Sequence, residues 1–355
     1  MSAFSLTVPV GAWHPLLEQC FASLAAQKPK LQVALLDASG DERVVQAADQ
    51  WNGLFHYRYH GPDKGQADAI ATGWEQTSGR ILGWLNADDA LYPDALEMVL
   101  ARFDSPDAPG VVYGHSTIVD GEGRLKGWQY GVEPPSERLG YAAALSQPSC
   151  FFLRDACNDA GSLNRELHYT MDWDLFLRLY HQGTTFAFID KALSQVLWDQ
   201  GTKTASLTQR RREEILRIHE AYPPPGSRAA SLRGFRTQNI IDGSPQRVRE
   251  LITSVLMRNA RPFFGLRGDG MSETGFTLPL MHYNTRDVIA ARISFANRLP
   301  MNVKAALNDV ACEVEAARKT LTIHFPDKLT QAQRMNLVLK FDAPGARFRW
   351  LELVR

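Results

Sequence analysis

Residues 81–92 read Ile-Leu-Gly-Trp-Leu-Asn-Ala-Asp-Asp-Ala-Leu-Tyr: an apolar run stops at Asn86, Asp88 and Asp89, and Pro93 follows. A buried strand ending in carboxylates delivers them to a sheet edge, and open α/β sheets take their ligands at the carboxyl ends of their strands. Two acidic side chains placed there repel one another unless a cation or a donor-rich ligand stands between them. Oxygen ligands on so short a loop suit Mg²⁺ or Mn²⁺, which are held by one or two carboxylates together with substrate phosphates. The same pair could instead cap the helix expected after Pro93, so taken alone Asp88 and Asp89 leave both roles open. A second acidic cluster lies in Tyr169-Thr-Met-Asp172-Trp173-Asp174-Leu175, at the start of an apolar-periodic segment. The spacing predicts Asp172 at a helix N-cap and Asp174 in the first turn, where carboxylates satisfy free amide donors and the helix dipole.

The elements that must position these groups alternate along the chain. Residues 5–9 read as a strand, and Leu17, Cys20, Phe21 and Leu24 fall at helical spacing. A second strand ends at Asp37, and a polar turn leads to a helix with Val44, Ala48 and Trp51 on one face. Phe55, Tyr57 and Tyr59 alternate as a third strand, and residues 65–77 are helical. Repeated strand-helix units imply a mostly parallel sheet covered on both sides. After a helix at 93–103 and a strand at 110–113 the alternation breaks. A hairpin is expected across 117–129, then a long loop to about 147, the kind of segment that carries specificity. Strands at 147–153 and 185–189 and a helix at about 206–220 complete the first part. Pro223-Pro-Pro-Gly226 marks a linker, Ser244-Pro245 starts another helix, and from about Gly265 the pattern turns to period two. Ile289, Ala291, Ile293 and Phe295 alternate, as do three later runs, which predicts a small antiparallel sandwich. The expected division is 1–222, a linker and helical segment at 223–265, and an all-β domain at 266–355.

With 355 residues, 45% hydrophobic and 22% charged, the chain is long enough for two cores. Lys plus Arg equals Asp plus Glu at 39 each, so no net charge marks a nucleic-acid partner. The four cysteines are scattered without zinc-site spacing, which suggests a reducing compartment. There is no apolar leader and no apolar run of about 18 residues, so a cytoplasmic protein is expected, with association to the inner face of a membrane as an alternative. His56 and His60 would lie roughly 13 Å apart on one strand, too far to share a metal.

Several ordered segments together resemble the bacterial family 2 glycosyltransferases of GT-A fold, over roughly residues 3–205. These are Gly61-Pro-Asp63-Lys64-Gly65-Gln66-Ala-Asp68, then Leu82-Gly-Trp-Leu-Asn86-Ala87-Asp88-Asp89, Val112-Tyr113-Gly114, Gln147-Pro148, and Met171-Asp172-Trp173-Asp174-Leu175. The resemblance implies an enzyme that uses a nucleotide-sugar and inverts the anomeric centre. It assigns Asp88 as metal ligand with Asp89 and Asp199 beside it. Donor contacts fall to Pro9, Asp37, Asp63, Lys64, Gln66, Asp68, Asn86, Ala87 and Asp88. Asp172 takes the place of the base that deprotonates an acceptor hydroxyl, and Gln147, Trp173 and Asp174 fall on the acceptor side.

Three positions depart from the family pattern: Ala71 stands where Asn is common, the turn after Asp37 is short, and Asp199 replaces a metal-binding His. Asp199 could ligate a hard cation or serve as a loop carboxylate. The implied partners are Mn²⁺ or Mg²⁺, a UDP-sugar ahead of GDP- or dTDP-sugars, and a glycan or lipid-linked acceptor in surface polysaccharide assembly. The alternative is a glycan-binding or assembly protein that keeps the fold without turnover.

Overall fold

The computed structural model describes residues 2–129, 131, 137–198, 208–224, 227–245, 248, 251–252, 255–256, 263–283, 287–299, 302–329 and 331–354. Two compact units divide the chain. The first is Met1–Thr117 with Trp128–Val196 and Ser206–Arg236; the second is Ile118–Gly127 with Leu197–Ala205 and Thr237–Arg355.

The first unit begins with the alternation read from the sequence: β1 (Phe4–Val10), α1 (Leu17–Ala25), β2 (Leu31–Asp37), α2 (Glu42–Gln50), β3 (Phe55–His60), α3 (Gln66–Glu75) and β4 (Ile81–Trp84). Along the chain then come β5 (Ala90–Leu91), α4 (Ala95–Phe103), β6 (Val111–Val119), β7 (Leu125–Gln129), β8 (Cys150–Leu153), α5 (Arg154–Asp159), α6 (Met171–His181), β9 (Phe186–Leu197), α7 (Gln209–Ala221) and α8 (Arg228–Asp242). The sheet order is β6-β8-β4-β1-β2-β3. Strands β3, β2, β1 and β4 are parallel, and β8 runs antiparallel to both β4 and β6. The carboxyl ends of β1, β2 and β4 therefore share one edge, and the antiparallel β8 brings its amino end to that same edge.

Both faces of this sheet are buried. Leu82 and Trp84 of β4 join Ile70 and Trp74 of α3, Phe152 of β8 and Phe176 of α6 in one core. Between them Gly83 faces the other way, against Leu6 and Phe151. This is the near-continuous apolar strand expected of a sheet covered on two sides.

The strand expected at 110–113 and the first arm of the expected hairpin are one nine-residue strand, β6. Its polar middle reads as a break, yet Ser116 is buried. The Ser116 hydroxyl shares hydrogen bonds with those of Ser149 at 2.9 Å and Ser194 at 2.6 Å, so the polar atoms are satisfied inside the core. Helix α8 has no counterpart in the sequence pattern as a separate element. It packs Phe235 on Trp173, and Ser231 donates to the Tyr141 carbonyl at 2.7 Å.

The second unit contains β10 (Gly275–His282), β11 (Val288–Phe295), β12 (Val303–Leu307), β13 (Val310–Ala316), β14 (Thr320–Leu329), β15 (Gln333–Phe341) and β16 (Phe348–Val354), in the order β10-β15-β12-β13-β14-β11-β16. All of these pairings are antiparallel. Strand β13 pairs β12 through Val310–Cys312 and β14 through Glu313–Ala316, so it passes from one sheet to the next. Phe276, Phe295, Phe341 and Phe348 from four strands make ring contacts in the core between the sheets.

Strands β10, β13 and β16 escape the period-two reading for separate reasons. Pro279 interrupts β10, which closes one end of the strand order, where a missing donor is tolerated. Strand β13 is mostly exposed, and a register shift opposite β16 spaces its buried Phe348 and Leu351 three apart. The alternation expected at Ile289 also fails, because a shift between Val288 and Ala290 turns Ile289 outward, 41% exposed.

One side chain ties the amino edge of the first sheet. The Arg154 guanidinium donates to the carbonyls of Gly79 at 2.8 Å, Trp74 at 2.8 Å and Thr77 at 3.0 Å, and to Ser5 Oγ at 2.9 Å. Beside it, a Cβ at Gly79 would lie 2.3 Å from the Phe4 carbonyl carbon, so only glycine fits. A lysine cannot reproduce the planar fork of donors. Arg154→Lys and Arg154→Ala are both expected to lower the urea midpoint of the first unit, by about 2–4 kcal/mol of unfolding free energy. A wild-type midpoint in Arg154→Lys would mean that a point charge suffices there.

Candidate active site

The site forms where β1, β2 and β4 end. In β1, Pro9 lies beside Leu36 and Val10 beside Asp37 of β2, and all of β1 is buried. Asp37 is 3% exposed. Its Oδ1 accepts from the Ser39 amide at 2.9 Å and the Ser39 hydroxyl at 2.5 Å, and its Oδ2 pairs with His60 Nδ1 at 2.8 Å. The carboxylate is thereby fixed in direction at the strand end. Sequence reasoning weighs His60 only as a metal ligand and so misses this role. The signal available is register, since His60 closes β3 directly opposite Asp37.

At the end of β4 a relay of amides sets the acidic pair. Gln66 Nε2, from the first turn of α3, donates to Asn86 Oδ1 at 2.7 Å, and Asn86 Nδ2 donates to Asp89 Oδ2 at 2.9 Å. The Asp89 amide also donates to the Asn86 carbonyl at 3.1 Å. Asp89 is 5% exposed, Ala87 is buried, and Asp88 is half-buried. Burial pushes the Asp88 carboxyl above its ordinary range, an effect that a backbone hydrogen bond and His14 oppose. Both carboxylates reach Cys20, whose buried thiol is pushed up by burial first and then by Asp89 and Asp88.

Neither carboxylate caps a following helix. Strand β5 intervenes, and Asp94 precedes α4 without a side-chain cap. Among the described residues no group of three His, Cys, Asp or Glu side chains gathers around one point. Asp199 lies outside the described residues. Two adjacent carboxylates, one buried and the other half-buried and resisting its own charge, fit the protein's share of a Mg²⁺ or Mn²⁺ site completed by phosphate oxygens.

The segment before α3 is arranged by its own turns. Asp63 Oδ1 accepts from the Gly65 amide at 2.7 Å, and Gly65 has φ of 119°, where glycine is favoured. Lys64 is exposed, and its amide donates to Asp68 Oδ2 at 3.3 Å. Asp68 is taken by Arg165, 2.8 Å away, which holds its carboxyl below the usual range. Nothing near Asp68 in the sequence announces Arg165, which lies 97 residues on. The His168 ring faces Gly65 and leaves room for a side-chain carbon, with Nε2 3.4 Å from where a Cβ would stand.

Across the β8 edge, Gln147 Nε2 donates to the Trp84 carbonyl at 2.9 Å, so this side chain supports β4. Asp172 is half-buried and lies close enough to Cys150, the first residue of β8, to push that thiol up after burial has done most of the work. The expected N-cap role belongs elsewhere. Helix α6 starts at Met171 with Thr170 as N-cap, and Asp172 Oδ1 accepts from the Trp173 amide at 2.8 Å. Of the other two acceptor-side expectations, Trp173 is turned into the core and Asp174 stays half-buried. Trp173 is 2% exposed, with its indole donating to the Leu139 carbonyl and its ring packed on His219 and Phe235. Asp174 is engaged by Arg178 at 2.8 Å, one turn along α6. In the second unit Phe276, Tyr283 and Phe348 are buried, while Trp350 is partly exposed.

Comparison with known proteins bears on the family and the fold. The family model Glycosyl transferase family 2 matches residues 9–165. A PGL/p-HBAD biosynthesis glycosyltransferase of Mycobacterium tuberculosis is 24% identical over 182 residues, covering 50% of this chain and 69% of that protein. Chondroitin synthase of Escherichia coli is 24% identical over 226 residues, covering 61% of this chain and 32% of its own length. The crystal structure of S. aureus TarS residues 1–349 in complex with UDP-GlcNAc superposes with a TM-score of 0.52 at 16% identity, covering 73% of this chain and 81% of that 1–349 chain. At that identity the likeness speaks for the fold.

The raised Asp88 carboxyl has a consequence for stability without metal. Charging Asp88 costs more in the folded chain than in the unfolded one, so its contribution is present at low pH and is lost as pH rises through the raised folded value. In chelator, Asp88→Asn is expected to melt higher than wild type at pH 8 and equally at about pH 4, by differential scanning calorimetry. A variant that melts lower at pH 8 would show that the fold stabilises the charged form.

Proposed function

We propose, on the premise that the chain is a glycosyltransferase with a family 2 domain at residues 9–165, that it moves a sugar from a nucleotide-sugar to a hydroxyl of a glycan or lipid-linked acceptor, inverting the anomeric carbon. The observation that carries this reading is the relay Gln66-Asn86-Asp89, which fixes the acidic pair at the carboxyl edge of β4 beside the start of α3. Asp37, held by Ser39 and His60, is placed to accept from the base or ribose of the nucleotide. Residues 63–66, Asp68 and Pro9 flank it on the donor side. Asp88, with Asp89 next to it, would hold Mn²⁺ or Mg²⁺, and we include Asp199 as a further ligand. When bound, such an ion stabilises the charge that develops on a leaving diphosphate.

The chain's own groups then have distinct tasks. Asp172 takes the proton of the acceptor hydroxyl as that oxygen attacks, acting from the face opposite the leaving group. Gln147 holds the β4 edge through the Trp84 carbonyl. A glycan acceptor is supported by the similarity to chondroitin synthase, and the UDP-GlcNAc in the TarS structure makes UDP-sugars the first donors to test. No helix among the described residues is long and apolar enough to cross a membrane. We place the reaction in the cytoplasm, at the inner membrane face if the acceptor is lipid-linked, and assign the β-rich second part to holding the acceptor or a partner.

Calorimetric titration with UDP, GDP, CDP and dTDP, with and without Mn²⁺, tests the donor side. One nucleotide is expected to bind in a metal-dependent way, and Asp88→Ala should weaken it by about 100-fold or more. Metal-independent binding that survives Asp88→Ala would remove the metal role. On the acceptor side, Asp172→Asn should cut turnover by about 10²–10⁴-fold while nucleotide affinity stays within about twofold. Unchanged turnover would remove Asp172 as the base.

A further inference from the structure

Helix α6 carries Asp172 in its first turn, yet Thr170 at its N-cap makes no side-chain cap. The amides that lead into the helix are satisfied from another helix. Glu214 of α7 accepts from the His168 amide at 2.9 Å, the Tyr169 amide at 2.8 Å and the Thr170 amide at 3.1 Å, and its Oε2 also accepts from the Thr170 hydroxyl at 3.2 Å. Glu214 is 3% exposed, and Arg210 of the same helix places its Nε 3.5 Å away. Arg210 in turn reaches His168 Nδ1 at 2.7 Å and the Glu166 carbonyl at 3.3 Å. Burying a carboxylate is costly unless its lone pairs are used, and here three consecutive amides and a hydroxyl use them.

We propose that Glu214 is a positioning residue for the transfer reaction, holding the 168–170 segment so that Asp172 stands in one geometry toward the acceptor. This rests on the assignment of Asp172 as base. Thr170 could cap α6 by itself, as Ser and Thr commonly do, but its hydroxyl is turned to Glu214 instead. His168, whose amide is the first of the three, also turns its ring toward Gly65, leaving room for about one methyl group between them. Misplacing a reacting group by about 1 Å can cost about 100-fold in rate.

The test compares Glu214→Gln and Thr170→Ala with wild type and Asp172→Asn, following nucleoside diphosphate release from those UDP-, GDP- or dTDP-sugars that the wild type turns over. In Glu214→Gln, kcat per nucleotide-binding site is expected to fall about 10- to 100-fold with donor KM within about twofold. Thr170→Ala, which keeps the three backbone bonds, should lose less, about 3- to 10-fold, and stays informative if Glu214→Gln does not fold. A lower melting temperature with wild-type kcat per site in the variants that fold would make Glu214 structural only and overturn the proposal. Retained turnover in Asp172→Asn would overturn the base assignment, and the positioning role with it. Loss of turnover in Asp172→Asn alone overturns the positioning role and leaves the base assignment standing.

Discussion

The cost of charging a carboxylate away from water is the constraint on which the end of β4 depends. Asp88 and Asp89 stand at the end of a buried strand, and burial raises the cost of the Asp88 charge. The surrounding groups manage that cost without cancelling it. Asn86 donates to Asp89 and is itself oriented by Gln66, while His14 acts on Asp88. Because Gln66 belongs to the first turn of α3, the carboxylates and the segment before that helix are set by one hydrogen-bonded path. The parallel strands supply the common edge, and the antiparallel β8 brings Gln147 and Cys150 to the same place.

The second half of the site depends on a different device. Within α6, Asp172 accepts from the Trp173 amide, but the three amides that lead into the helix are satisfied by a carboxylate of α7. Core packing reinforces this, since Trp173 is locked against α7 and α8 through His219 and Phe235. Asp172 lies in sequence between the clamped residues 168–170 and the buried indole. The acidic groups of the two halves differ accordingly: those at β4 are the ligands of the proposed cation, while the one on α6 is the base of the proposed transfer.

What the sequence discloses here follows from range. Strand β4 ends where an apolar run meets Asn86 and two aspartates, and α3 is periodic from Gln66, so both are written in a dozen neighbouring residues. Partners that lie far along the chain leave no local trace. Arg165 on Asp68 and Glu214 on residues 168–170 are of this type, and with Glu214 out of view the local pattern points to Asp172 as the N-cap. In the second unit the period-two rule succeeds where pairing is regular, as in β15. It fails at β11 and β16, where register shifts change the spacing of buried residues. Trp173 reads toward the acceptor because its neighbours carry the motif, but the helical period turns it into the core.

The most direct measurement is a crystal structure with Mn²⁺ and the nucleoside diphosphate that binds most tightly. The account requires the ion on Asp88, the diphosphate oxygens completing its shell, and the base or ribose on Asp37. A nucleotide bound elsewhere, or one seated at Asp37 with its diphosphate directed away from Asp88, would contradict it.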